Sequence, residues 1–452
     1  MTGDFCSKKF SKILALILAS VLLFSISSVD ASAASAAGAN CAFAKSVSYG
    51  EGGASGARSR ARAREASRAA SATSALKRAA GTNGFRAAWV CSILNLDFPS
   101  KPGLGNAELK KEIDAIVDKA AELRLNALIL QVRPSGDALY KSSLFPWSEY
   151  LSGTQGAAPA DGFDPLDYWI EQTHKNGLEL HAWVNPYRVT HTAAGFTSVK
   201  DAGKLAENNP ARKDPSRIVA YNGALYYDPG LYANKKLVIN GIAEIIRNYD
   251  VDGIHLDDYF YPGTDFPDDA SYEKFGRGID KADWRRGNVN DVIKGIQRII
   301  KRQKKDIRFG VSPFAIWMNA SSNPLGSDTR GSESYKTMYA DTRRWVKSGW
   351  IDYICPQIYW YQGYEIADYA KVLDWWVRVC DGTGVDLYVG HAAYKEAENG
   401  GSDSGWNGET VRQLKYNAKY YPADVKGSIF FRFNSLLGKL GKEVAGYYSA
   451  NL

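Results

Sequence analysis

Five cysteines and five histidines in 452 residues are too few and too scattered for the frameworks those residues build. Cys6 lies in the leading segment, and Cys41, Cys91, Cys355 and Cys380 keep no regular spacing; this excludes a disulfide scaffold and a zinc cluster. Cys91 and Cys355 end apolar runs and read as small buried residues. No His-x-His or His-x-x-x-His pair occurs, so no metal or other cofactor is expected. The chain also lacks net charge where a fold is to be built. Of 56 Lys and Arg and 49 Asp and Glu, residues 1–85 hold 11 and 4, which leaves 45 of each sign in the remainder. The formal charge of +7 therefore belongs to a tail, and a nucleic-acid partner, which needs a basic face on the fold, is excluded. Beyond residue 26 there is no second long hydrophobic run, so no transmembrane span is expected in the mature chain.

The leading residues are of a different kind. Lys8, Lys9 and Lys12 precede an apolar run from Ile13 to Ile26 and a small-residue exit through Ala33. This predicts a signal peptide over residues 1–31, a mature chain beginning near residues 32–34, and an exported protein, secreted, periplasmic or associated with the cell envelope. Residues 32–84 are a low-complexity basic linker rich in Ala, Ser and Gly, with Arg58, Arg60, Arg62, Arg64 and Arg68. Such a composition buries too little apolar area to offset its ordering entropy and predicts a flexible tether. Its arginines serve solubility, or envelope association through an anionic polymer or membrane surface.

From residue 85 to 452 apolar runs of strand length alternate with helical periodicity. The strand-like runs are Ala87–Ile93, Ala127–Val132, Glu179–Val184, Gly253–Leu256, Arg308–Val311, Tyr353–Cys355, Leu387–Val389 and Ser428–Phe431. Helical segments follow near Glu108–Leu123, Pro165–Lys175, Lys235–Asn248, Asn290–Lys304, Glu333–Lys347, Ile366–Cys380, Glu409–Tyr420 and Lys439–Tyr447. Eight such units predict an α/β chain folded as a (β/α)8 TIM barrel. Links from helix to strand are short, as at Leu125-Asn126 and Asn176-Gly177, whereas those from strand to helix are long, as from Asn185 to Asn234. Barrel enzymes build their sites from the long loops at the C-terminal strand ends.

Those strand ends are polar and aromatic. The fourth run closes in Asp252-Gly253-Ile254-His255-Leu256-Asp257-Asp258-Tyr259. Alternation along a strand places His255 and Asp257 on one face, opposite Ile254 and Leu256, with Asp258 at the bend. Adjacent carboxyls cannot ionise independently, and pKa values split in this way assign acid and base roles in glycoside hydrolysis. The 12 Trp and 27 Tyr exceed what packing requires and suit a sugar or peptide surface.

Together, Ala88-Trp89-Val90, Gln131-Val132-Arg133-Pro134, Asp137-Ala138-Leu139-Tyr140, the segment His181 to Arg188, the Asp252 to Pro262 run, Gly310 to Phe314 and Pro356 to Trp360 resemble the bacterial glycosyl-hydrolase-like 10 family. The resemblance covers about residues 84–440. It implies a barrel and a glycosidase of the cell envelope, some members of the family cutting peptidoglycan glycan strands that lack stem peptides. The pair Asp257 and Asp258 is similar in position to the carboxylates with which barrel enzymes act on N-acetylhexosamines. The expected reading is a glycoside hydrolase acting on an N-acetylhexosamine-containing envelope polysaccharide. Asp258 is its general acid, and Asp257 the carboxylate that polarises the acetamido group or acts as nucleophile. Arg133, Asn185, Tyr187, His255 and Gln357 are expected to tune these groups and hold the sugar, and Tyr259, Trp317, Tyr359 and Trp360 to stack on it. Two other readings keep the fold and change the chemistry: a catalytically weak polysaccharide-binding barrel and a metal-dependent deacetylase.

Overall fold

The computed structural model describes residues 84–192, 201–303, 306–399 and 404–452. The expected signal segment, and the linker apart from Gly84, lie outside the described residues. Eight parallel strands close on themselves: β1 (Phe85–Val90), β2 (Ala127–Arg133), β3 (Glu179–Val184), β6 (Gly253–Leu256), β7 (Arg308–Val311), β8 (Tyr353–Ile354), β9 (Asp386–His391) and β10 (Val425–Phe430). They pair in chain order, with β10 returning to β1. The helices that follow them are α1 (Asn106–Glu122), α2 (Pro165–Lys175), α3 (Tyr232–Asn248), α4 (Lys281–Gln303), α5 (Thr342–Lys347), α6 (Tyr369–Cys380), α7 (Glu409–Tyr420) and α8 (Lys439–Asn451). The expected (β/α)8 barrel is the fold.

Local chemistry explains several boundaries. Asp164 caps α2 by accepting from the Leu166 amide at 3.1 Å, with Pro165 in the first helical position. Asp368 caps α6 through the amides of Ala370 and Lys371. Outward-facing strand residues such as Leu128, Leu130, Leu180, Ile254 and Val311 pack against the helices in one continuous core. A second, smaller core fills the barrel, with Ala87, Trp89, Ile129, Trp183, Tyr353 and Tyr388.

The barrel interior also carries a polar spine. Trp89 Nε1 donates to His255 Nε2 at 3.2 Å, His255 Nδ1 lies 2.9 Å from the Tyr353 hydroxyl, and that hydroxyl is 2.9 Å from His181 Nδ1. His181 Nε2 reaches Glu179 Oε2 at 3.2 Å. An indole N–H only donates, so it fixes the sense of the whole chain: His255 carries its proton on Nδ1, Tyr353 donates to His181, and His181 donates to Glu179. Two glycines make the room. A Cβ on Gly253 would meet the His181 ring at 2.3 Å, and one on Gly310 the Tyr353 ring at 2.0 Å.

The long loop after β3 contains an element that the sequence reading passes over, a two-stranded hairpin of β4 (Ile218–Tyr221) and β5 (Ala224–Tyr227). It turns on Asn222-Gly223, both at positive φ. The hairpin pairs with the segment leaving β3: Tyr227 N donates to Tyr187 O at 2.8 Å and Val189 N to Leu225 O at 2.9 Å. Residues 187–189 thereby behave as a short strand with alternating faces.

Candidate active site

At the C-terminal end of β6, Asp257 is 4% exposed while Asp258, one residue on, is partly exposed at the mouth. The oxygens of Asp257 are surrounded by donors. Trp183 Nε1 donates to Oδ2 at 3.2 Å, Asn185 Nδ2 donates to the same oxygen, and Tyr259 N donates to Oδ1 at 3.2 Å. Asn185 is itself oriented. Gln131 Oε1 accepts from the amides of Ser92 and Ile93, both at 3.0 Å, so its Nε2 faces Asn185 Oδ1 at 2.6 Å. With its oxygen so engaged, Asn185 presents an N–H to Asp257, and the relay from β1 through β2 and β3 ends on an acceptor. Burial pushes the Asp257 carboxyl above its ordinary value, opposed by Arg188 and by these donors.

Asp258 sits differently. Burial, and then the charge of Asp257, push its carboxyl up to about 7. Gln357 hydrogen-bonds to it and anchors its own amide on Ser312 O at 2.9 Å. Arg188 acts on both carboxyls while its guanidinium lies 4.8 Å over the Tyr259 ring. A carboxylate held by donors beside a carboxyl that retains its proton near neutrality is the arrangement of an acid paired with an electrostatic partner.

The aromatics frame this pair. Tyr259 is 39% exposed on one side. On the other, Tyr359 neighbours Asp258 and packs near Phe431 and Tyr394, with ring centroids 6.0 and 6.1 Å away. Trp360 is partly exposed, its ring edge-on to Phe314 at 5.9 Å. His255 lies under the pair, wholly buried in the interior spine, with Ser312 Oγ 2.8 Å from Nε2. Burial, then the neighbouring His181, push its pKa well down, so it supports the floor of the site as a neutral ring.

Three expected sugar contacts are placed elsewhere. Arg133 is turned outward because the β2–β3 pairing slips between Gln131 and Arg133, two residues of β2 facing one of β3; the bulge reverses the alternation. Its guanidinium stacks 3.7 Å over Phe145, next to Gly241 of α3. Tyr187 is buried in the outer core, since the hairpin register sends Tyr187 and Val189 to one face and Arg188 to the other. Trp317 is 5% exposed and stacks on Trp375 of α6 at 5.9 Å. The cation acting on both carboxyls is therefore Arg188, a residue of the strand-three exit that stands outside the expected sugar contacts, which include Arg133 instead. Gln131 and Trp183 are the other participants missing from the expected set. Trp183 shares the strand parity of His181 and Asn185, the signal by which it was to be found. Among the described residues no group of three or more His, Cys, Asp or Glu converges as a metal site requires.

Residues 84–407 match the glycosyl hydrolase-like 10 family. The chain belongs to that family. It is 45% identical over 364 residues to glycosyl hydrolase YngK of Bacillus subtilis, covering 78% of this chain and 68% of the relative. It is 36% identical over 367 residues to glycosyl hydrolase DigH of Escherichia coli K12, covering 77% and 82%. Among solved structures it resembles an alpha-L-fucosidase isoenzyme 2 of Paenibacillus thiaminolyticus at a TM-score of 0.49 and 13% identity, over 81% of this chain and 49% of that one. Membership of this family supports a glycoside-hydrolase type of function, with a polysaccharide as the class of substrate.

Proposed function

We propose that this protein hydrolyses glycosidic bonds in an N-acetylhexosamine-containing polymer of the cell envelope, the glycan strands of peptidoglycan being the first candidate. The observation that carries the reading is the division of state between neighbours: Asp257 enclosed by N–H donors, and Asp258 raised to about 7 at the open side. Asp258 protonates the leaving oxygen as the bond to the anomeric carbon breaks. Asp257 accepts from the substrate's acetamido N–H, and the acetamido oxygen attacks the anomeric carbon to form a cyclic oxazolinium. Water then opens that ring while Asp258, now a carboxylate, takes up the water's proton. Each step uses residues already gathered at the β6 end, and no second protein carboxylate across the bond is needed.

The reading predicts retained anomeric configuration, inhibition by a thiazoline mimic of the cyclised intermediate, and little activity on glucans without N-acetyl groups. NMR of product formed early in the reaction on purified peptidoglycan, with and without stem peptides, tests it; inverted product excludes the acetamido route. For location, export through residues 1–31 belongs to the same proposal, and the N-terminal sequence of exported protein is expected to start near residues 32–34.

A further inference from the structure

The amide relay behind Asp257 has an origin as well as an end. Ser92 and Ile93, whose main-chain N–H groups point at Gln131 Oε1, open the turn that leaves β1, and that turn is held from several sides. Ser92 Oγ donates to Gln131 O at 2.7 Å, and Asp97 Oδ2 accepts from the Cys91 amide at 2.9 Å. Asn95 Nδ2 donates to Pro99 O and Tyr150 O at 2.8 and 2.7 Å. Leu94 and Asn95 both stand at positive φ, 55° and 54°, a conformation that is costly for a residue with a side chain and persists where the surroundings over-determine it.

Main-chain N–H groups only donate, so two of them on one oxygen leave the Gln131 amide a single orientation. Its Nε2 then faces Asn185 Oδ1, and Asn185 in turn has only an N–H to offer Asp257. Gln131 and Asn185 are each 1% exposed, so the pair works from behind the carboxylate. An amide free to turn would meet an ionised Asp257 with its nitrogen and a protonated one with its oxygen, and so accommodate both. An amide fixed with its N–H forward favours the ionised form alone.

We propose that Gln131 is a positioning residue: through Asn185 it holds Asp257 as an ionised acceptor, and the sense of that hold is dictated by the main chain of the turn after β1, three strands away around the barrel. The hold on Asp257 stands on this geometry; its effect on turnover rests on the glycosidase reading.

Trp183 supplies a readout that needs no turnover, since its indole N–H donates to Asp257 Oδ2 and its NMR shift follows the charge on that oxygen. The charged and titratable groups facing Asp257 are Arg188 from the segment after β3, Asp258 and Tyr259 beside it, and the Cys91 thiol at the end of β1. The full chain therefore carries Asp258→Asn throughout, so that Asp257 titrates without its acidic neighbour, and Trp183→Phe identifies the resonance. Gln131→Met removes the hold. Gln131→Glu keeps an oxygen for the Ser92 and Ile93 amides, and with it the fold, while it turns the forward donor into an acceptor. Both are expected to raise the midpoint of the indole titration by about one pH unit, the worth of one hydrogen bond to a charged group. In an Asn185→Leu background, which lacks the last N–H, the same substitutions are expected to lose that effect, whereas a merely structural role would add there as well. With Asp258 intact, the acid limb of kcat/KM is expected to move up with the indole midpoint. Parent midpoints in the Gln131 variants, or shifts of the same size with Asn185 replaced, overturn the proposal. A raised indole midpoint in a protein that does not hydrolyse peptidoglycan upholds the hold on Asp257 and sinks the glycosidase reading.

Discussion

At the scale of single residues the proposal turns on two neighbouring protons. Asp257→Asn and Asp258→Asn are each expected to lower turnover by at least about a hundredfold, the smaller end for a lost acid or base, with the thermal midpoint close to that of the parent. Full turnover in both variants would place the chemistry elsewhere. The pH profile follows from the same pair. Asp258 acts protonated, so kcat/KM is expected to fall as pH rises through about 7. Asp257 acts ionised and its carboxyl is pushed up, so the acid limb is expected above the ordinary 3.8 of a carboxyl. In Asp257→Asn the negative neighbour is gone, Asp258 loses its proton more readily, and the alkaline limb of residual activity is expected to move to lower pH. Arg188→Met is expected to depress activity strongly, whereas Arg133→Met is expected to act on stability and leave kcat/KM close to the parent value. Comparing rates and melting of the two variants decides which cation serves the carboxylates. The sequence made Asp257, Asp258, Asn185 and Gln357 legible, because alternation and position after a strand suffice to find them. Arg133 was misplaced because nothing in a run of apolar residues announces a bulge.

At the scale of elements, three strands whose outward-facing residues are all apolar are where the sequence put them: Glu179–Val184, Gly253–Leu256 and Arg308–Val311 coincide with β3, β6 and β7. The helices Pro165–Lys175, capped by Asp164, and Glu409–Tyr420, which has no side-chain cap, coincide as well. The misses have physical causes. Helix α4 starts at Lys281 instead of Asn290, because its first turns are polar and carry little apolar period. The helix expected over Glu333–Lys347 is two pieces, Ser334–Thr337 and Thr342–Lys347, separated by Tyr339 at φ 54°. The hairpin β4–β5 did leave a signal, Asn222-Gly223 between apolar pairs, which favours a turn with both residues at positive φ. The interior also yields a test. Gly310→Ala brings a methyl into the Tyr353 ring, and overpacking of this kind is expected to cost about 1–3 kcal/mol, measurable by urea unfolding. A neutral result would mean that Tyr353 has room to move.

At the scale of the whole molecule, buried titratable groups pull stability in opposite directions. His191 is held down to about 3, His391 to about 4 and His255 well below its ordinary value, in each case first by burial. The unfolded chain protonates these rings below about 6.5 and the folded chain does not, so each makes stability fall as pH drops from about 6.5 toward its folded value. Asp137, Glu149 and Asp258, raised to about 6, 7 and 7, act with the reverse sign. Their contribution is complete below about 4 and is lost as pH rises through those values. His391→Gln is expected to remove one histidine's share, about 1.4 kcal/mol per pH unit, so that its stability measured by urea unfolding rises relative to the parent as pH falls. Parallel curves would refute the assignment. The polar spine that runs down the barrel has a further meaning for turnover. Every hydrogen from Trp89 to Glu179 points the same way, so the spine sets a fixed row of bond dipoles beneath the carboxylates, and at its head the Ser312 hydroxyl, 2.8 Å from His255 Nε2, sits beside an indole that neither takes up nor releases a proton.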